Sequence, residues 1–308
     1  MRNALALAII VATASLTSQP TAFRVQVAGR GRPMILIPGL SSSGDTWKAT
    51  VAHYQDRFTT HTITLAGFAG VPPDEAAGAR PLLTAVRDQL STYIEENHLE
   101  QPIIVGHSLG GNVAIDLAAA RPDLVGPIVI VDSLPFYASV MFRVDTAEAA
   151  KPIVDGMRKQ LASLTRQQYD DYVRSHQATQ FMVSKPSDLD LITEWGLKSD
   201  PKTVYLAMAE LFGADQRPLL PKIAAPTLVI GTWAGIRDQM KQAQIPLTKD
   251  AIVENFRQQY QTLARLHFAV SDTSRHFVMF DDPDWFYAQL DAFLANPATA
   301  TADRGFTR

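Results

Sequence analysis

No cysteine occurs among the 308 residues. Disulfides, thiolate nucleophiles and cysteine-ligated metals are therefore excluded from the start. Charge is sparse as well. The 28 Lys and Arg residues nearly balance 31 Asp and Glu, the formal net charge is -3, and there is no long basic run. That balance lacks the electrostatic footprint of a nucleic-acid-binding protein. No G-x-x-x-x-G-K-[ST] stretch appears, so Gly106, Gly110 and Gly111 do not read as a nucleotide cradle. No H-E-x-x-H pair or other clustered ligand spacing is present, so neither a metal nor a cofactor is implied. Nor does any apolar run reach the ~20 residues of a membrane-spanning helix. The segment Ala4 to Ala14 comes nearest, following Met1-Arg2-Asn3 and ending in Ala12-Thr13-Ala14. One positive charge, a short apolar stretch and a small-residue triplet read as a secretory signal. Residues 1–22 are accordingly expected to be signal peptide and spacer, and the protein to be periplasmic or secreted from a bacterium.

What is present is a hydrophobic fraction of 46%, enough for one large domain or a domain with an insert. The chain is organised around Pro102-Ile103-Ile104-Val105-Gly106-His107-Ser108-Leu109-Gly110-Gly111-Asn112-Val113-Ala114. This reads as a buried strand, an abrupt turn and a helix. The turn fits G-x-S-x-G, a nucleophile elbow that lifts one serine hydroxyl from the sheet on a strained corner. Side chains two residues before and after that serine would collide with backbone, which explains Gly106 and Gly110. The helix start behind Ser108 directs amide hydrogens toward developing negative charge.

The other elements follow in order. Phe23 to Ala28 is an edge strand, and Met34-Ile35-Leu36-Ile37 is a buried one, ending in the loop Pro38-Gly39-Leu40-Ser41-Ser42-Ser43-Gly44. A helix carries Trp47, Val51, Tyr54 and Phe58 on one stripe. Thr62 to Leu65 is a strand, and residues 81–97 form a helix buried through Leu83, Val86, Leu90, Tyr93 and Ile94. The strand Pro127 to Val131 ends at Asp132. Alternating strands and helices at this spacing predict a doubly wound, mainly parallel α/β sheet, with ligands beyond the carboxyl ends of its strands.

From Ser133 to about Pro221 the alternation stops, and the stretch reads as helical. Phe136, Tyr137 and Met141, directly after the Asp132 strand end, are the candidates for lining a substrate cleft. The sheet resumes at Pro226 to Gly231, then a long loop spans 232–246 and a helix runs from Thr248 to about Leu266. His267 to Val270 is the last strand, followed by a loop containing His276 and a final helix opened by Pro283. Residues from Asn296 onward, including 297–308, read as a frayed tail.

In this order of parts, residues 23 to 295 resemble the α/β-hydrolase fold family, and within it the capped, esterase-like members. The motifs that carry the resemblance are the elbow, the strand-Pro-Gly-Leu loop, the helical insert and the terminal His-Phe ahead of an Asp-Asp-Pro helix start. The resemblance implies a core of 23–132 and 222–296 with a helical cap of 133–221. It implies Ser108 as nucleophile and His276 as base, since a serine hydroxyl is nearly inert at neutral pH without one. It also implies an oxyanion hole built from the backbone amides of Leu40 and Leu109. His107, though inside the elbow, is expected to point away and pack.

The acid is less conventional. The usual slot after the strand ending at Gly231 holds Ala234 and Gly235. Asp238 lies three residues beyond Gly235, whereas Asp132 sits at a rigid strand end. Asp132 is favoured and Asp238 kept as its competitor; both preserve the order Ser, Asp, His. A serine at the elbow argues against dehalogenase- and epoxide-hydrolase-like chemistry, which needs a carboxylate there. The expectation is a serine esterase acting on a mainly apolar small molecule through an acyl-enzyme. Lactonase, amidase or peptidase, C–C hydrolase and silent binding protein are the alternatives. The export expectation predicts that N-terminal sequencing of protein from a periplasmic extract starts after Ala14, and an intact Met1 there would count against a cleaved signal.

Overall fold

The computed structural model describes residues 21–75 and 80–297. The segment read as signal peptide and most of the C-terminal tail lie outside these residues. Strands β1 (Phe23–Gly29), β2 (Arg32–Ile37), β3 (Phe58–Leu65), β4 (Ile103–His107), β5 (Ile128–Val131), β6 (Thr227–Thr232) and β7 (Leu266–Ser271) form one sheet. Its order is β1-β3-β2-β4-β5-β6-β7. Only β1 runs antiparallel to its neighbour; every other pairing is parallel. Helices α1 (Lys48–Tyr54), α2 (Leu82–Glu96) and α3 (Leu109–Ala120) join the early strands.

The central strands are apolar without interruption because both faces are covered. Successive residues point to opposite sides of the pleat. Ile35, Ile37, Ile104, Ile128 and Ile130 pack on the side of α2 and α3, with Val86, Leu90, Val113 and Leu117. Met34, Leu36, Val105, Val129 and Val131 face the other side, with Trp47, Tyr54, Phe286 and Leu290. Each core thus draws on alternate residues of the same strands, and the double winding follows from that.

Parallel register aligns the strand ends. Gly106 pairs with Ile37 and His107 with Val131, while Val131 pairs with Ile230 and Thr232 with Ser271. The Pro38 loop, Ser108, Asp132, Thr232 and the loop after Ser271 therefore leave the sheet along one edge. The chain passes from β2 to β3 on one side and then to β4 on the other. This reversal is the switch point where open α/β sheets bind ligands, and Ser108 stands beside it.

Between β5 and β6 the chain forms α4 (Tyr137–Met141), α5 (Ala147–Ala162), α6 (Arg166–Arg174), α7 (Pro186–Lys198) and α8 (Pro201–Gly213). Both stems of this insert are tied to α3. Asn112 Nδ2 donates to the Leu134 carbonyl and to Gln216 Oε1, both at 2.8 Å, and Gln216 Nε2 donates to the Asn112 carbonyl at 3.0 Å. No helix among the described residues is long and apolar enough to cross a membrane.

Three expectations need correction. Phe58 opens β3 and does not extend the α1 stripe. The region 232–246 is not one long loop, since α9 (Ala234–Gln242) occupies most of it. Only Ala234 and Gly235 of that helix are buried, so no large apolar stripe marks it in sequence. Helix α10 (Lys249–Gln259) stops well short of Leu266, where Tyr260 turns inward and donates its hydroxyl to the Ser133 carbonyl at 2.9 Å. After β7 come α11 (Val278–Asp281) and α12 (Pro283–Ala295).

The elbow depends on its glycines. A Cβ on Gly106 would lie 2.2 Å from the Gly110 carbonyl oxygen, and one on Gly110 would lie 2.4 Å from that of Ile37. These are backbone atoms of a covered sheet and cannot swing aside. Gly110→Ala is therefore expected to lower unfolding stability by at least about 3 kcal/mol, measured by urea denaturation. A change within experimental error would show that the turn relaxes freely.

Candidate active site

Ser108 stands between β4 and α3 with φ 52° and ψ -118°, left-handed backbone that a non-glycine residue rarely adopts. Such strain costs about 1–3 kcal/mol and persists where neighbouring bonds over-determine it. The Ser108 amide donates to the Val131 carbonyl at 2.9 Å, and its own carbonyl accepts from the Gly111 amide at 2.8 Å. The loop after β2 presses on this corner. A Cβ on Gly39 would lie 3.2 Å from Ser108 Cβ and 3.1 Å from His107 Nδ1. Leu40 follows Gly39 in that loop, and Leu109, next after Ser108, opens α3. The Leu109 amide belongs to the first turn of α3, where helical donors have no partner within the helix.

Asp132 leaves β5 at φ 44°. Aspartate tolerates this conformation better than most residues. Its amide donates to the Ile230 carbonyl at 2.7 Å, and the turn directs its carboxylate along the sheet edge. Oδ1 accepts from the Thr232 amide at 2.9 Å, and Oδ2 accepts from His276 Nδ1 at 2.6 Å. A carboxylate can only accept, so Nδ1 carries the proton and Nε2 is the ring nitrogen left for acid-base work. The Asp132 side chain is 12% exposed and that of His276 22%, so the pair is shielded without being sealed.

Asp238 does not meet His276. It lies on α9, where Oδ2 accepts from Arg275 Nη2 at 3.1 Å and Oδ1 from Arg237 Nε at 2.9 Å. His107 is fully buried, as its packing role requires. Nε2 donates to the His276 carbonyl at 3.0 Å, and its ring lies 4.5 Å from those of both His276 and Phe277. Burial, and secondarily the neighbouring His276, push its pKa well below the ordinary range and keep it neutral.

The three cleft candidates part company. Tyr137 reaches the site: its hydroxyl donates to Ser133 Oγ at 3.3 Å and also interacts with Ser108. Burial raises its phenol to about 12, so it stays protonated as a donor. Phe136 does not line the site. It precedes α4 in extended backbone and is fully buried with Ala138, Ala150 and Val154 beneath the Arg217 guanidinium. Met141 is 58% exposed at the far end of α4, a full turn beyond Tyr137. Sequence reasoning also missed two contacts. The Thr232 amide is a backbone donor and leaves no residue-type signal. Tyr169 of α6 is buried, donates to the Gly196 carbonyl at 3.0 Å and interacts with Ser41, next to Leu40. Among the described residues, no group of three or more His, Cys, Asp or Glu could hold a metal ion.

Known proteins resemble this chain in sequence and in fold. A pimeloyl-[acyl-carrier protein] methyl ester esterase of Vibrio cholerae is 30% identical over 114 residues, 37% of this chain and 42% of that protein. The enzyme of the same name from Aeromonas hydrophila is 26% identical over 232 residues, covering 72% of this chain and 84% of its own. Among solved structures, an enol-lactonase from Burkholderia xenovorans superposes with a TM-score of 0.66 at 18% identity, over 89% of this chain and 96% of that one. The sequence profile of the Alpha/beta hydrolase family matches residues 34–289, and the chain belongs to that family.

Proposed function

We propose that the protein is a serine hydrolase that cleaves a carboxylic ester of a mainly apolar small molecule through an acyl-enzyme. The observation that carries this reading is the 2.6 Å bond from His276 to Asp132, made along the same sheet edge as the strained Ser108. In the proposed cycle, Ser108 Oγ attacks the ester carbonyl and His276 Nε2 takes the serine proton. Asp132 holds the Nδ1–H tautomer and offsets the charge of the imidazolium. Negative charge on the carbonyl oxygen is met by the amides of Leu40 and Leu109. Collapse of this intermediate breaks the C–O bond, and His276 returns its proton to the leaving alkoxide. Water, deprotonated by the same nitrogen, then attacks the acyl-serine; the bond from the acyl carbon to Oγ breaks, the acid leaves, and His276 returns the proton to Ser108 Oγ.

The insert 133–221 serves in this reading as a cap. Tyr137 from α4 meets Ser108, Tyr169 from α6 meets Ser41, and segment 180–184 meets the loop of His276. The relatives named as methyl ester esterases support ester cleavage as the reaction class.

Hydrolysis of p-nitrophenyl acetate, butyrate and octanoate tests the reading. Ser108→Ala and His276→Gln are expected to abolish turnover, and Asp132→Asn to lower kcat by about 10⁴-fold through the wrong histidine tautomer. Asp238→Asn is expected to cost far less. Undiminished activity in Ser108→Ala would sink the serine mechanism, and a reversed order of the two aspartates would move the acid to Asp238.

A further inference from the structure

His276 is held by its neighbours on both sides, and both neighbours are bonded to the insert. On one side, the Phe277 amide donates to the Met182 carbonyl at 3.1 Å. On the other, Arg275 Nη1 donates to the Gln180 and Val183 carbonyls at 3.1 and 2.7 Å. The second arm of the guanidinium, Nη2, donates to Asp238 Oδ2 at 3.1 Å. The Arg275 amide donates to Asp281 Oδ2 at 2.8 Å, while Oδ1 of that carboxylate accepts from the Ser184 amide and hydroxyl at 2.9 and 2.6 Å. Three pieces of chain therefore meet at Arg275: α9, the segment after β7 and the link between α6 and α7.

The residue types fit this junction. A planar guanidinium with five donors can serve two carbonyls and a carboxylate together, whereas an ammonium has no fixed fork. Arg275 and Asp238 are 24% and 27% exposed, so the pair is partly shielded from water, and Asp238 is the carboxylate that meets the Arg275 fork. Gly235 belongs to the same junction, since a Cβ there would lie 2.5 Å from the Phe181 carbonyl oxygen. The aspartate near the usual acid slot thus has a different partner, and that partner adjoins the histidine.

We propose that Arg275, anchored by Asp238, is a positioning residue that locks segment 180–184 of the insert onto the His276 loop and holds the imidazole in register with Asp132. The proposal rests on His276 being the general base of the esterase reading. Seating of the insert and orientation of the base become one event, because the carbonyls that fix Arg275 belong to the insert.

The test uses the full chain, with p-nitrophenyl butyrate kinetics and proton NMR of the low-field Nδ1–H that His276 shares with Asp132. Arg275→Gln and Asp238→Asn are each expected to lower kcat on the order of tenfold or more, the scale of a small misplacement of a reacting group. KM should stay nearly constant and the low-field signal should broaden or vanish. The double variant should be no worse than Arg275→Gln alone, because both changes remove one interaction. Parental kcat with the low-field signal in place overturns the proposal, as does a loss confined to KM or to thermal stability. If Arg275→Gln fails to fold, Asp238→Asn, which keeps the side-chain shape, decides alone. Ser108→Ala separates the two levels. If it stays active, the esterase reading fails; if it is inactive while the Arg275 and Asp238 variants turn over normally, only the positioning role fails.

Discussion

The hydrogen bond between Asp132 and His276 is the constraint on which the arrangement of this site depends. It joins residues 144 positions apart. The same carboxylate also holds the Thr232 amide, so one side chain gathers the ends of β5 and β6 and the loop that follows β7. A largely buried carboxylate that lost either partner would keep its desolvation cost without compensation, of order 1–3 kcal/mol or more for a charged group. Both partners depend on the sheet. Thr232 is placed by the parallel register of β6, and His276 by a loop that starts where β7 ends. The site is therefore only as well ordered as the register of β4 through β7.

Around that bond lie groups whose work is indirect. His107 stays neutral and supports the His276 carbonyl from below the loop. Arg275 and Phe277 hold the loop from the insert side. The imidazole is thus fixed by its flanking backbone as well as by its own ring. In the proposed reaction this suits a side chain that presents one nitrogen to a carboxylate and the other to the substrate.

Much of the fold was legible in the sequence for a physical reason. Parallel strands covered on both faces must be apolar throughout, and Met34 to Ile37, Ile103 to Val105 and Ile128 to Val131 say so directly. The elbow was legible because Gly106 and Gly110 are forced by backbone closer than any side chain allows. Helix α9 was hidden because its buried face consists of one alanine and one glycine. Phe136 follows the same strand end as Tyr137 yet packs with Ala138, Ala150 and Val154, because adjacency to a strand end gives proximity but not direction. The acid stayed open between two aspartates because a residue letter does not report its own φ. The positive φ of Asp132 turns its carboxylate toward Thr232 and His276, while Asp238 went to the arginine next door.

The Asn112–Gln216 pair has a consequence beyond packing. It ties both stems of a long insert, at Leu134 and Gln216, to one side chain of α3, so the two stems lie side by side. Closing a loop whose ends are fixed costs entropy that grows only with the logarithm of its length, about 0.6 kcal/mol per doubling. The hydrolase core is therefore nearly indifferent to how much chain is spliced in at this point. Through that junction, lineages could lengthen, shorten or replace the insert while the elbow and its strands stay as they are.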